Sequence, residues 1–136
     1  MKFKIMTKKI SAETNAINWF EIAVTDIARA KKFYEIILEI EMIPMEMMGM
    51  KMAMFPYKGA NGKVGGALVQ SGMHTASASG AIIYLNANPD LDLVFNRIEK
   101  AGGKTSMPKT LIDENSGYMA FFTDTEGNTV GLHSTN

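Results

Sequence analysis

The chain has 136 residues, 46% of them apolar and 21% charged, with fourteen basic side chains against fourteen acidic ones. That is the size and make-up of one soluble domain with a real core. Zero formal charge argues against nucleic acid or an acidic membrane surface as the main partner, since both need a concentrated positive field. The absence of cysteine excludes disulfides, thiolate metal sites and thiol catalysis.

The opening "MKFKIMTKKISAETNA" is basic but lacks the apolar stretch of a secretory signal. No run approaches the length of a membrane span, and a cytoplasmic address is the default expectation. "INWFEIAV", residues 17–24, alternates and predicts a strand with Phe20, Ile22 and Val24 on one face and Trp19, Glu21 and Ala23 on the other. "TDIARAKKFYEIILEI" predicts a helix, with Thr25 or Asp26 as cap and Ile27, Ala30, Phe33, Tyr34 and Ile37 at helical spacing. Residues 42–56 then hold seven of the twelve methionines; Pro44 and Gly49 divide them into two short strands joined by a turn. Asn61-Gly62 is a hairpin signal before the strand "VGGALVQ", and the Gly/Ser-rich residues 71–80 read as a linker.

The pattern restarts with the strand "AIIYLNA" and a helix over "NPDLDLVFNRIEKAGG", with Asn88 as candidate cap, Pro89 in the first turn and glycines at the end. Three more strands follow in "KTSMPKTLI", "GYMAFFTD" and "NTVGLHS", the last two separated by the turn "TEGN". A shift of 64 residues superposes Asp26 on Asp90, Ile27 on Leu91 and Leu68 on Leu132, which marks an internal duplication. The expected fold is α+β in a single domain over residues 1–136. It comprises two βαβββ modules, at about residues 15–70 and 80–135, around a linker at 71–79. Each module is a curved sheet with a helix on its convex face, and two concave faces, in one chain or across a dimer, can close around a cup.

In "INWFEIAVTDIARAKKFYEIIL", "DLDLVFNRIEKAGGK" and "FFTDTEGNTVGLHS" the chain resembles the vicinal oxygen chelate superfamily of glyoxalase I, bleomycin-resistance proteins and extradiol dioxygenases. The resemblance implies a glyoxalase/bleomycin-resistance-type fold with a concave cup. In metal-dependent members a divalent ion sits there, held by His or Glu side chains from the first and last strands of each module. Here those positions carry Trp19, Ala67, Ile82 (with Ala81 and Ile83 as neighbours in register) and Gly131. None offers the carboxylate or imidazole that such an ion needs, so no metal and no other cofactor is expected.

Alternation leaves Trp19 and Glu21, Ile82, Tyr84 and Asn86, and Gly131 and His133 on the cup face. Glu21 and His133 each lie two residues from a vacated ligand position and are the candidate catalytic or anchoring pair. The bland alternative is that they bond to each other or to backbone at a solvated rim. Trp19, Tyr84, Met52 and Gly131 are the candidate ligand-binding residues, though Trp19 and Tyr84 are also ordinary space-fillers. His74, in the linker, reads as a surface residue. Asp26, Asp90 and Asp124 read as helix-start and turn residues, and Gly65-Gly66 as close backbone packing rather than a phosphate loop.

Met48, Met50, Met52 and Met54 alternate along one strand face. Thioethers suit Cu(I), but without Cys or a nearby His they read as core or interface filling, or as an adaptable wall for an apolar ligand. The expectation is a homodimer that binds a small organic molecule, with no nucleic-acid or membrane partner. The alternatives are a lyase-, isomerase- or dioxygenase-like enzyme, metal-free or with a rearranged metal site, and a structural or regulatory partner protein.

Overall fold

In a computed structural model of the chain, residues 10–59 and 62–136 are described. The first module comprises β1 (Trp19–Ala23), α1 (Ile27–Leu38), β2 (Ile43–Met47), β3 (Met50–Met54) and β4 (Gly65–Gln70). The second comprises β5 (Tyr84–Asn86), α2 (Asp92–Phe95), α3 (Ile98–Ala101), β6 (Lys104–Asp113), β7 (Gly117–Thr123) and β8 (Thr129–Ser134). Two four-stranded sheets result, ordered β1-β4-β3-β2 and β5-β8-β7-β6. Neither closes into a barrel. In each, the first strand runs parallel to the last and the other pairs are antiparallel. A parallel pair needs a long crossover, and the intervening helix and strands supply it.

The strand alternation holds: Ile22, Val24, Leu68, Leu85 and Leu132 are buried, and Phe20 packs against them. Asp26 caps α1 by accepting the Arg29 N–H at 3.1 Å, and Ala30, Phe33, Tyr34 and Ile37 form the helix's buried stripe. One apolar core unites both modules, with Phe33 and Tyr34 from α1 packed among Leu91, Ile98 and Phe122 of the second half. The opposite faces of the sheets lie outside that core.

The modules are fastened by the turn at residues 124–128. The buried Tyr34 hydroxyl donates to Asp124 Oδ2 at 2.7 Å, and Asn128 Nδ2 donates to the same oxygen at 2.9 Å and to the Ala23 carbonyl at 2.8 Å. Glu126 Oε1 accepts the Thr25 and Asp26 N–H groups at 2.9 and 2.8 Å. Asp26 and Asp124 thus have structural roles, and β8 is set beside the end of β1.

Three local expectations change. The second helix is broken into α2 and α3, and Asn88 does not cap it. Asn88 Oδ1 instead accepts from Thr135 N–H and Oγ1–H at 2.8 and 3.1 Å, while the helix starts lower, where Asp90 Oδ1 receives the Asp92 N–H at 3.0 Å. At the break the Arg97 N–H reaches back only to the Val94 carbonyl, and its guanidinium donates to the Ile37 carbonyl at 3.0 Å. Pro44 does not end a strand. It lies within β2, the outer strand of its sheet, where its missing N–H costs no ladder bond. Met48 leaves the methionine stripe, because Met48 (φ 53°) and Gly49 (φ 78°) form the two-residue turn between β2 and β3. Of the Asn61-Gly62 turn, Asn61 lies outside the described residues; Gly62 has φ 77°.

Candidate functional site

Directly paired residues on neighbouring strands share a face, so the register defines what each sheet shows on the side away from the helices. In the first sheet Glu21 stands beside Ala67, Ala67 beside Met54 and Met54 beside Ile43. The next row runs Ala23, Val69, Met52, Met45. Met52, Ala67 and Val69, with Met50 and Met54, form a small apolar cluster separate from the main core. Met52 is 4% exposed, whereas Met45 and Met47 of the outer strand are 42% and 45% exposed. The methionines are therefore a wall on the cup side, with Met45 and Met47 taking the place expected for Met48.

In the second sheet Tyr84 stands beside Gly131 and Gly131 beside Phe121, while Asn86, His133 and Met119 make the following row. Tyr84 is thus the positional counterpart of Glu21, since each flanks the same position of the parallel partner strand. Ile82 then corresponds to Trp19, one residue short of the 64-residue shift that relates Ala67 to Gly131. The Tyr84 ring lies over Gly131: a Cβ there would come within 2.6 Å of it. Tyr84 also packs at 5.6 Å on Phe121. An aromatic plate fills the space into which a side chain at 131 would project.

Glu21 and His133 do not bond to each other. His133 Nε2 donates to the Ser116 carbonyl at 2.6 Å. Glu21 Oε1 instead meets His74 Nε2 at 2.8 Å, and Oε2 accepts the Trp19 indole N–H at 3.3 Å. His74 Nδ1 in turn meets Ser71 Oγ at 2.7 Å. His74 is consequently no surface residue; its side chain is 19% exposed and pins the linker to β1. Sequence reading missed it because 53 positions separate the partners. The available signal was that the linker holds one of only two histidines, three residues after a serine.

A cavity of about 500 Å³ opens beside Ser71, Gly72 and His74, with Lys51 and Glu126 also in its wall. Burial pushes the Glu126 carboxyl up, but bonds from Arg29, Thr125 and the Asp26 and Thr25 N–H groups outweigh it and hold the group at about 2. A second, apolar cavity of about 820 Å³ lies between the modules, against Phe20, Leu38, Phe55, Leu85 and Val94.

A divalent ion in this fold needs oxygen or imidazole donors. Trp19, Ala67, Ile82 and Gly131 present an indole, two alkyl groups and a hydrogen. Among the described residues no three His, Cys, Asp or Glu side chains come together. The residues at these positions do not fit the ion. Among the described residues, too, no helix is long and apolar enough to cross a membrane.

Several solved structures share this fold. A glyoxylase/bleomycin resistance protein/dioxygenase domain from Frankia sp. EAN1pec superposes with a TM-score of 0.67 at 15% identity, over 91% of this chain and 100% of that one. TnmS3, an antibiotic binding protein from Streptomyces sp. CB03234, gives 0.60 at 20% identity, over 93% and 100%. The genomically encoded fosfomycin resistance protein FosX from Listeria monocytogenes gives 0.61 at 17%, over 96% and 94%. No curated protein matches the chain significantly. The family model for the Glyoxalase/Bleomycin resistance protein/Dioxygenase superfamily matches residues 16–132, from before β1 into the closing strand β8. The chain belongs to that superfamily.

Proposed function

We propose that the protein binds a small organic molecule on the sheet faces turned away from its helices, without a resident metal, and that a second copy closes over those faces. The observation that carries this reading is the composition of the face. Trp19, Met45 and Met47 on one sheet and Tyr84 on the other are each more than a third exposed, and the Glu21 carboxylate stands on the same face as Trp19. Apolar surface of this kind, with a few fixed polar groups, suits a ligand or a partner surface. Methionine side chains adapt to varied shapes, which favours binding over one demanding reaction geometry. The fold shared with an antibiotic binding protein is in keeping with sequestration. A cytoplasmic setting is part of the reading.

In this reading Trp19 and Tyr84 stack on the ligand, Met52 and Gly131 shape the floor, and Glu21 and His133 anchor polar groups. Native mass spectrometry of untagged protein tests it, reporting mass, metal and co-purified ligand together. The expected result is a dimer carrying an unmodified organic molecule and far less than one metal ion per chain. A stoichiometric ion surviving desalting, or a bare 14.9 kDa species at micromolar concentration, would overturn the metal-free or the dimeric part respectively.

A further inference from the structure

We propose that Ser71 is a nucleophile, activated by His74 and held in line by Glu21, and that it accepts an acyl group from small carboxylic esters. The inference shares Glu21 with the ligand reading but rests on Ser71 and His74, which that reading does not use, so their variants test it separately.

The hydrogen-bond directions follow from the groups themselves. The Glu21 carboxylate only accepts, so the 2.8 Å contact places a proton on His74 Nε2. In the neutral ring Nδ1 is then an acceptor, and its 2.7 Å neighbour, Ser71 Oγ, must be the donor. The Met73 N–H donates to the same Oγ at 3.1 Å, which occupies a lone pair and aims the hydroxyl proton at the imidazole. Trp19 secures the other oxygen of Glu21. Nucleophile, base and orienting carboxylate therefore stand in sequence, at the separations such a relay requires. Ser71 is three residues before His74 in a tight turn, and Glu21 comes from a strand, so the geometry is held from two sides.

The site is open to a substrate. Gly72 has nothing within 4 Å of where a side chain would stand, and the cavity beside it is about 500 Å³. Lys51 lines that cavity and is the cation available to a developing oxyanion. In the reaction Ser71 Oγ bonds to the ester carbonyl carbon as its proton passes to His74 Nδ1. The carbon–alkoxy bond then breaks, and the alcohol leaves with that proton. Water, deprotonated by His74, then bonds to the acyl carbon; the bond from that carbon to Ser71 Oγ breaks, the acid leaves, and His74 returns the proton to Oγ.

The test is incubation of the whole protein with 4-nitrophenyl acetate, following nitrophenolate release and the intact mass. The expected result is an acetyl adduct on Ser71. Ser71→Ala should abolish it, and Ser71→Cys should restore an adduct at the same position. His74→Gln should slow acylation by at least about a hundredfold, and Glu21→Gln should slow it at least about tenfold. An unchanged rate in Ser71→Ala, an adduct only on other residues, or a rate indifferent to His74→Gln would overturn the proposal. Ser71 would then be a turn residue tying the linker to the sheet.

Discussion

Glu126 receives Arg29 in a two-pronged ion pair: Nε reaches Oε2 at 2.7 Å and Nη2 reaches Oε1 at 3.0 Å. The carboxylate is fully covered while the guanidinium is half exposed, and the carboxylate belongs to a turn about a hundred residues from the Thr25 and Asp26 N–H groups it also receives.

That burial sets a pH dependence. The folded-state pKa of about 2 lies below the ordinary 4.5, so the stabilisation is complete above the unfolded value. It fades as pH falls from about 4.5 towards about 2. Glu126→Gln should cost roughly 1–3 kcal/mol at pH 7. Urea melts of both proteins at pH 7, 4 and 2.5 should show the gap narrowing with acid. A gap that stays constant would assign the loss to packing rather than charge.

Tyr34 should resist ionisation. Burial first, and then the negative charge of Asp124, raise its hydroxyl well above 10. In an alkaline absorbance titration of the folded protein, the last phenolate to appear should be the one missing from Tyr34→Phe. That substitution should also cost about 1–2 kcal/mol, because Asp124 loses one of its buried donors.

Two glycines should respond differently to alanine. At Gly103 the new Cβ would come within 2.8 Å of the Phe33 ring, which is 1% exposed and has nowhere to move. Gly103→Ala should cost roughly 1–3 kcal/mol by overpacking. At Gly131 the neighbour is the Tyr84 ring, which is 47% exposed and can swing outward. Gly131→Ala should stay within about 1 kcal/mol yet weaken ligand binding, since the plate is displaced. Equal thermal shifts in the two variants would contradict this account.

Methionine oxidation reads out the proposed dimer. Met48 and Met73 are 89% and 86% exposed and should be oxidised first by dilute peroxide. Met52 should be protected at any concentration. Met45 and Met47 should be oxidised in dilute protein and protected in concentrated protein if a second copy covers the first sheet. Peptide mass spectrometry across a dilution series decides it, and no dependence on concentration would count against closure.

Glu21→Gln and His133→Ala should each leave stability within roughly 1 kcal/mol while ligand affinity falls more than about tenfold. Urea melts beside a binding titration with the co-purified molecule measure both. Large stability losses with binding intact would make the two side chains structural.

The inner strands were legible because they have one face against the core, and period-two alternation reports that directly in residues such as Ile22 and Leu132. The break in the second helix was not. Leu91, Val94 and Ile98 keep helical spacing across it, and the bend is made by Arg97 reaching the Ile37 carbonyl, a tertiary contact. The Glu21–His74 pair was hidden for the same reason. Composition describes 71–80 as a linker and says nothing of what lies beneath it. "TEGN" announced a turn, but not that Glu126 would receive the Thr25 and Asp26 N–H groups of the other module.

The turn at 124–128 also imposes an order on folding. During synthesis α1 emerges early, yet the acceptor for the Tyr34 hydroxyl, and the carboxylate that receives the Thr25 and Asp26 N–H groups just before the helix, follow about ninety to a hundred residues later. Until then α1 keeps its own Asp26 cap, but the Tyr34 hydroxyl lacks its acceptor and the apolar stripe its far wall. Contacts of such sequence separation make for slow, late closure. The first half of the chain should therefore wait, loosely formed and vulnerable to proteases, until Asp124 and Glu126 clear the ribosome and both halves set at once.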